Sequence, residues 1–153
     1  MPNTYHQIHL QVVFAVKFRN AVLEKAWREE FFGIMGNLIN ETGCKNYIVN
    51  GVEDHVHCFL GLKPSISVSD VMQSVKSLSS KWLNEQGLLE HRFEWQKGYG
   101  VFSYHQSMKD RVYNYVLNQE KHHEGKPFLE EYKAFLNAFE IDYDEAYIFD
   151  DLI

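Results

Sequence analysis

The sequence predicts an α+β fold: a ferredoxin-like split βαββαβ antiparallel sheet with an added C-terminal helix and an acidic tail. Three observations predict it. The hydrophobic period switches along the chain in the order strand, helix, strand, strand, helix, strand, helix. Turn and breaker residues, among them Asn50-Gly51, Pro64, Gly125 and Pro127, fall between those segments. At 153 residues and 45% hydrophobic, the chain can bury a core without disulfides, and a single domain over 1–153 is the simplest division.

The elements follow in order. Residues 5–16 alternate and then run apolar through Val12, Val13, Phe14 and Val16, the pattern of a buried strand. Over 22–42, Leu23, Trp27, Phe31, Ile34, Met35, Leu38 and Ile39 recur at helical spacing, and Gly43 suits the stop. Residues 46–53 and 55–62 read as two strands of a hairpin. Asn50-Gly51 is a good turn signal and Glu53-Asp54 competes with it. Ser67 or Ser69 can cap a helix reaching about residue 85, with Val71, Met72, Val75, Leu78, Trp82 and Leu83 inward. Residues 92–104 are aromatic and glycine-bearing and include a strand. One helix over 107–123 and another over 129–139 complete the set. With helices on one face of the sheet, the other face is left for a partner or ligand.

The net charge of −6 is unevenly spread. Residues 128–153 hold eight acids against Lys133, a balance of −7, so the rest of the chain is +1. A near-neutral body can present a basic face, which permits nucleic-acid binding without arguing for it. The acidic tail would repel DNA and is expected to wrap a distal face or a partner subunit. No run approaches the ~18 apolar residues of a membrane span. Met1-Pro-Asn-Thr-Tyr-His6 has no basic stretch leading into an apolar one, so no signal peptide is expected. Cys44 and Cys58, without a CxxC, fit a reducing cytoplasm.

Two constellations carry chemistry. In His55-Val56-His57, residues two apart on a strand project to one face, and Val56 points the other way. The two Cβ atoms then lie about 7 Å apart, a spacing that two imidazoles can bridge to one metal ion. A third ligand must come from elsewhere. The same triplet also suits two ordinary histidines on an exposed face. Glu53 could share that face, though a solvated turn acid is the simpler reading. On the 107–123 helix, Tyr115 and Gln119 are four apart and stack on one side. Tyr113 lies about 200° round from Tyr115, so only one of them faces the glutamine. A tyrosine with a pKa of about 10 is a poor nucleophile unless a metal polarises the phosphodiester it attacks. The glutamine carbonyl can be a metal ligand. Tyr115 as half-buried packing is the duller alternative.

Together these segments resemble the single-tyrosine HUH transposases of small insertion sequences, the superfamily that also holds the REP-associated tyrosine transposases. Phe14-Ala-Val-Lys-Phe-Arg19 is similar to that family's first strand and basic turn, and Asp54-His-Val-His57 to its HUH motif. Val75-Lys-Ser-Leu-Ser-Ser-Lys81 resembles its Lys-Ser-rich helix, Trp95-Gln-Lys-Gly-Tyr-Gly100 its Trp…Gly-Tyr strand, and Tyr115-Val-Leu-Asn-Gln119 its Tyr-Ile-x-Asn-Gln helix. The resemblance covers about residues 5–150. It implies that His55, His57 and Gln119 hold Mg²⁺ or Mn²⁺ and that Tyr115 is the nucleophile. It further implies a single-stranded DNA substrate with hairpin ends, a 5′-phosphotyrosine intermediate, and a homodimer whose tyrosine helix can act in trans.

Lys17 and Arg19 could hold phosphates, and Lys76 and Lys81, with Ser79 and Ser80, could grip a DNA hairpin. Lys97, Tyr99, Phe102 and Tyr104 are stacking candidates for unpaired bases or sheet core. His122 and His123 suit the negative end of their helix dipole. The expected function is a cytoplasmic DNA transposase, nucleoid-associated when bound to DNA. Its rivals are a domesticated REP-associated tyrosine nuclease, a non-catalytic hairpin binder, and a metal-dependent hydrolase using water.

Overall fold

The computed structural model describes residues 3–123 and 127–144. Its strands are β1 (His9–Ala15), β2 (Lys45–Gly51), β3 (His55–Gly61) and β4 (Gly100–Tyr104). Its helices are α1 (Lys25–Glu41), α2 (Val68–Glu85), α3 (Lys109–Leu117), α4 (Gln119–His123) and α5 (Phe128–Ala138). The strands form one antiparallel sheet in the order β2-β3-β1-β4. That is the expected split plan.

Every residue of β1 is buried, because its two faces meet different layers. Val12, Phe14 and Val16, with Val56, Cys58 and Leu60 of β3, pack under α1 and α2. The opposite face carries Val13 and Ala15 against Phe102, Phe128 and Leu136, and Phe59 against Val112 and Val116. The expectation of a sheet with one open face is therefore corrected: α3 and α5 cover the second face. The continuous apolar run through β1 is the physical reason, since a strand apolar on both sides needs cover on both. The acidic segment is likewise not distal. The α5 helix turns Phe128, Glu131 and Leu136 inward and leaves Glu130 exposed. The acids beyond Asp144 lie outside the described residues.

Local chemistry explains most boundaries. Gly43, at φ +91°, follows α1 and allows its left-handed exit. The Ser67 hydroxyl accepts from the Asp70 N–H at 3.1 Å and caps α2. The hairpin turns at Glu53-Asp54: Gly51 pairs with Val56, and the Val52 N–H donates to the His55 carbonyl at 3.1 Å. A Cβ at Gly51 would collide with that carbonyl. The single helix expected over 107–123 is broken after Leu117. Asn50 Nδ2 donates to the carbonyls of Val116 and Leu117, both at 3.0 Å, taking up groups that a continuing helix would bond itself. Of residues 92–104, only β4 pairs along β1, while Trp95 makes one bridge to Val16. Among the described residues no helix is long and apolar enough to cross a membrane.

The core on the α1–α2 side centres on Phe31, which is fully buried. Its ring stacks on those of Trp82 and Trp95 at centroid distances of 6.0 and 5.9 Å and meets Phe93 edge-on. Phe31→Ala should destabilise the protein by about 3–5 kcal/mol, measured as a lowered urea midpoint with unchanged slope.

Candidate active site

Period-2 alternation on β3 turns His55 and His57 toward α3 and α5, and both are completely buried. They are not two exposed strand histidines. Asp54 Oδ1 lies 2.7 Å from His55 Nδ1, and this contact turns His55 Nε2 inward. In β1, Val13 stands opposite His57 and Gln11 one step diagonal to it. Gln11 Nε2 lies 2.9 Å from His57 Nδ1, and Gln11 Oε1 accepts from the Tyr104 hydroxyl at 2.7 Å. For His57 Nε2 to bind a metal, Nδ1 carries the proton and donates it to the Gln11 amide, turned with its oxygen toward the ring. Both rings are thus oriented from behind, as metal-binding histidines characteristically are.

The third group at this point is Glu131 of α5, itself buried. Its Oε1 is 2.9 Å from His57 Nε2 and 3.5 Å from His55 Nε2. The ligand atoms of His55, His57 and Glu131 lie within 4.8 Å of one another. Phe128, one turn earlier on α5, stacks on the His55 ring at 4.0 Å. Glu131 Oε2 accepts a hydrogen bond from the Tyr115 hydroxyl. One carboxylate therefore touches both histidines and the tyrosine.

Tyr115 reaches this cluster within a single chain, with its ring 5.9 Å from that of His57. Tyr113 is exposed elsewhere on α3. Gln119 is fully buried at the start of α4; its Nε2 donates to the Tyr115 carbonyl at 3.4 Å, while its Oε1 is buried without a hydrogen-bond partner. A buried amide oxygen without a hydrogen-bond partner, on a side chain that also touches Tyr115, is a group a cation could satisfy.

The electrostatics agree. Burial alone would lower the His55 pKa, but Asp54 and Glu131 outweigh it and the net shift is upward. Burial also pushes the Tyr115 hydroxyl above the usual tyrosine range; the Glu131 carboxylate adds to this and the Gln119 amide opposes it. The site holds a carboxylate and needs compensating positive charge.

Glu131 escaped the sequence reading because it lies in a segment read as an acidic tail. One signal was present: it stands on the same helix side as Phe128 and Phe135, a lone charge on an apolar face.

With this geometry in view, comparison with known proteins is decisive on family. The family model "Transposase IS200 like" matches residues 4–119. The chain belongs to this transposase family. No curated protein matches it. Among solved structures, the fold resembles a candidate transposase from Deinococcus radiodurans R1, with TM-score 0.62 and 18% identity over 78% of this chain and 95% of that one. It also resembles a REP-associated tyrosine transposase bound to a REP hairpin, with TM-score 0.57 and 12% identity over 80% of this chain and 73% of that one.

In this IS200-like transposase the family match ends at Gln119, so α5 and its carboxylate lie outside the matched segment. The residues expected to grip DNA are unevenly placed. Lys17 pairs with Glu94 at 3.1 Å in a half-exposed contact, a weak bond that a phosphate can displace. Arg19 lies in the 3-10 turn Lys17–Arg19, its side chain outside the described residues, as are those of His122 and His123. Lys81 is exposed and Ser80 half-buried. Two of them are engaged within the fold. Ser79 is fully buried and its hydroxyl accepts from Trp95 Nε1 at 3.0 Å. Lys76 Nζ donates to the carbonyls of Gln96 and Gly98 at 2.7 and 2.9 Å. It fastens the loop before β4, and burial lowers its pKa. Of the stacking candidates, Phe102 is core and Lys97 is exposed.

Proposed function

We propose that this chain cuts and rejoins single-stranded DNA at hairpin ends through a 5′-phosphotyrosine on Tyr115. The observation that carries this reading is Glu131 joining the Tyr115 hydroxyl to two buried, oriented histidines. His55 Nε2, His57 Nε2 and Glu131 Oε1 would hold one divalent ion, with Gln119 Oε1 as a further candidate ligand. Two imidazoles and a carboxylate suit Mn²⁺ better than Mg²⁺, which prefers oxygen ligands. When bound, the ion would neutralise phosphate charge and polarise the phosphorus–oxygen bonds.

The residues supply the remainder. Tyr115 gives its proton to Glu131 Oε2, which already accepts that hydrogen bond. The phenolic oxygen bonds to phosphorus, the bond to the 3′ oxygen breaks, and that oxygen takes a proton and leaves as a 3′-OH. A second 3′-OH then attacks the phosphotyrosine and restores Tyr115. The phosphoester count is conserved, so no ATP is consumed. Lys17, Arg19, Ser80 and Lys81 remain the hairpin-contacting candidates. A DNA substrate places the work in the cytoplasm, at the nucleoid.

The test is label transfer. A labelled hairpin-ended single strand should attach covalently to the protein with Mn²⁺ or Mg²⁺ and not with chelator; hairpin binding without transfer under all conditions would refute the reading. Glu131→Gln should weaken Mn²⁺ binding by at least about tenfold, followed by electron paramagnetic resonance of free Mn²⁺, and Gln119→Ala should weaken it less. A homodimer, if formed, would bring two DNA ends together without completing either site. Mixing His57→Ala with Tyr115→Phe protein should accordingly restore no cleavage; a site shared in trans would restore it.

A further inference from the structure

A cleft of about 360 Å³ opens between α3 and α5, outside the buried cluster but ending at it. Gln11 and Tyr104 of the sheet form its floor, and Tyr115 and Glu131 close its inner end. Phe135 and Phe139 line the α5 side, and Phe139 is 37% exposed. Ala134 and Ala138, one turn apart and both exposed, leave that wall low. Arg111 stands on the α3 side, one turn before Tyr115 and therefore on the same helix face. It is exposed and has no carboxylate partner among the described residues.

We propose that this cleft receives one unpaired nucleoside of the DNA strand, beside the phosphate that Tyr115 attacks, with Arg111 on a neighbouring backbone phosphate. The inference rests on the nucleophilic role of Tyr115 and adds where the substrate lies. Three observations select the occupant. The volume is at the low end of the ~300–1,000 Å³ typical of small-molecule sites, enough for a single planar ring system and too small for a duplex. The walls are largely aromatic and apolar, the surface on which an unpaired base stacks whatever its sequence. The guanidinium supplies the complementary charge for a phosphodiester and can bind it with two parallel hydrogen bonds. Position adds a fourth argument. The attacked phosphorus must come within about 3–3.5 Å of the Tyr115 oxygen, and Phe128 covers the His55 side of the cluster. The nucleoside joined to that phosphate then falls into the cleft.

The experiment uses the full chain with Tyr115→Phe to prevent turnover. A hairpin-ended oligonucleotide carries 2-aminopurine at each single-stranded position in turn, and its fluorescence is read with and without protein. Quenching should concentrate at one or two adjacent positions. Phe139→Ala should abolish that quenching and weaken single-strand binding by about 5- to 100-fold. Arg111→Ala should weaken binding in the same direction. Ala138→Leu, which fills the mouth and removes no contact, should also abolish the quenching. Binding of the blunt hairpin alone should be unchanged in all three. Quenching spread evenly along the strand, or insensitive to both Phe139→Ala and Ala138→Leu, would overturn the proposal. Adduct formation by the unaltered protein is scored separately. An adduct without local quenching removes the nucleoside site and keeps the nucleophile; local quenching without an adduct does the reverse.

Discussion

Tyr115→Phe protein should form no covalent adduct with hairpin-ended single-stranded DNA, and its strand cleavage should fall by on the order of 10⁴-fold or more. The change removes one oxygen atom, the one bonded to Glu131 beside the histidines. Tyr113 cannot replace it, because it is exposed elsewhere on α3. Folding should survive, since the phenylalanine ring keeps the packing against His57 and Phe135. The lost hydrogen bond to a charged acceptor should cost about 1.5–3 kcal/mol. Hairpin affinity should be unchanged, which separates lost chemistry from lost binding. The measurements are denaturing electrophoresis for the adduct and a gel shift for the hairpin.

The second large effect should come from His57→Ala. His57 is held between Gln11 and Glu131 with no exposed surface. Its loss removes a proposed metal ligand and one of the hydrogen-bonding partners of a buried carboxylate. Cleavage should become undetectable and Mn²⁺ binding should fall by at least about 100-fold. Stability should drop by about 1.5–3 kcal/mol, the usual cost of losing a buried hydrogen bond to a charged group. His57→Gln keeps a polar side chain beside Glu131 and should recover part of the stability without recovering cleavage. Recovered cleavage in the glutamine variant would show that the imidazole is dispensable.

Legibility of the fold and site in the sequence followed the range of the interactions. The strand and helix order was readable because each element carries its own period, and Ser67 and Gly43 marked helix ends by local backbone chemistry. The shared face of His55 and His57 followed from the strand period alone. Three features depended on long-range contacts and were not readable. The break after Leu117 is made by Asn50, a residue of a distant strand. Ser79 looked like a surface hydroxyl until Trp95 folded onto it. Glu131 looked like one acid among eight, and only the docking of α5 on the sheet brings it between the histidines. The apolar run in β1 was read as a buried strand, but not as a demand for cover on both faces; the docking of α3 and α5 on the second face was not readable.

The most direct measurement is identification of the amino acid that carries the nucleotide. The protein is incubated with Mn²⁺ and a hairpin-ended single strand, the adduct is digested, and the modified peptide is sequenced by mass spectrometry. The predicted result is a 5′-phosphate on Tyr115, absent from the His57→Ala protein and from chelator-treated samples. A phosphate on Tyr113, an adduct that persists without divalent ion, or strand cleavage with no protein adduct would contradict it.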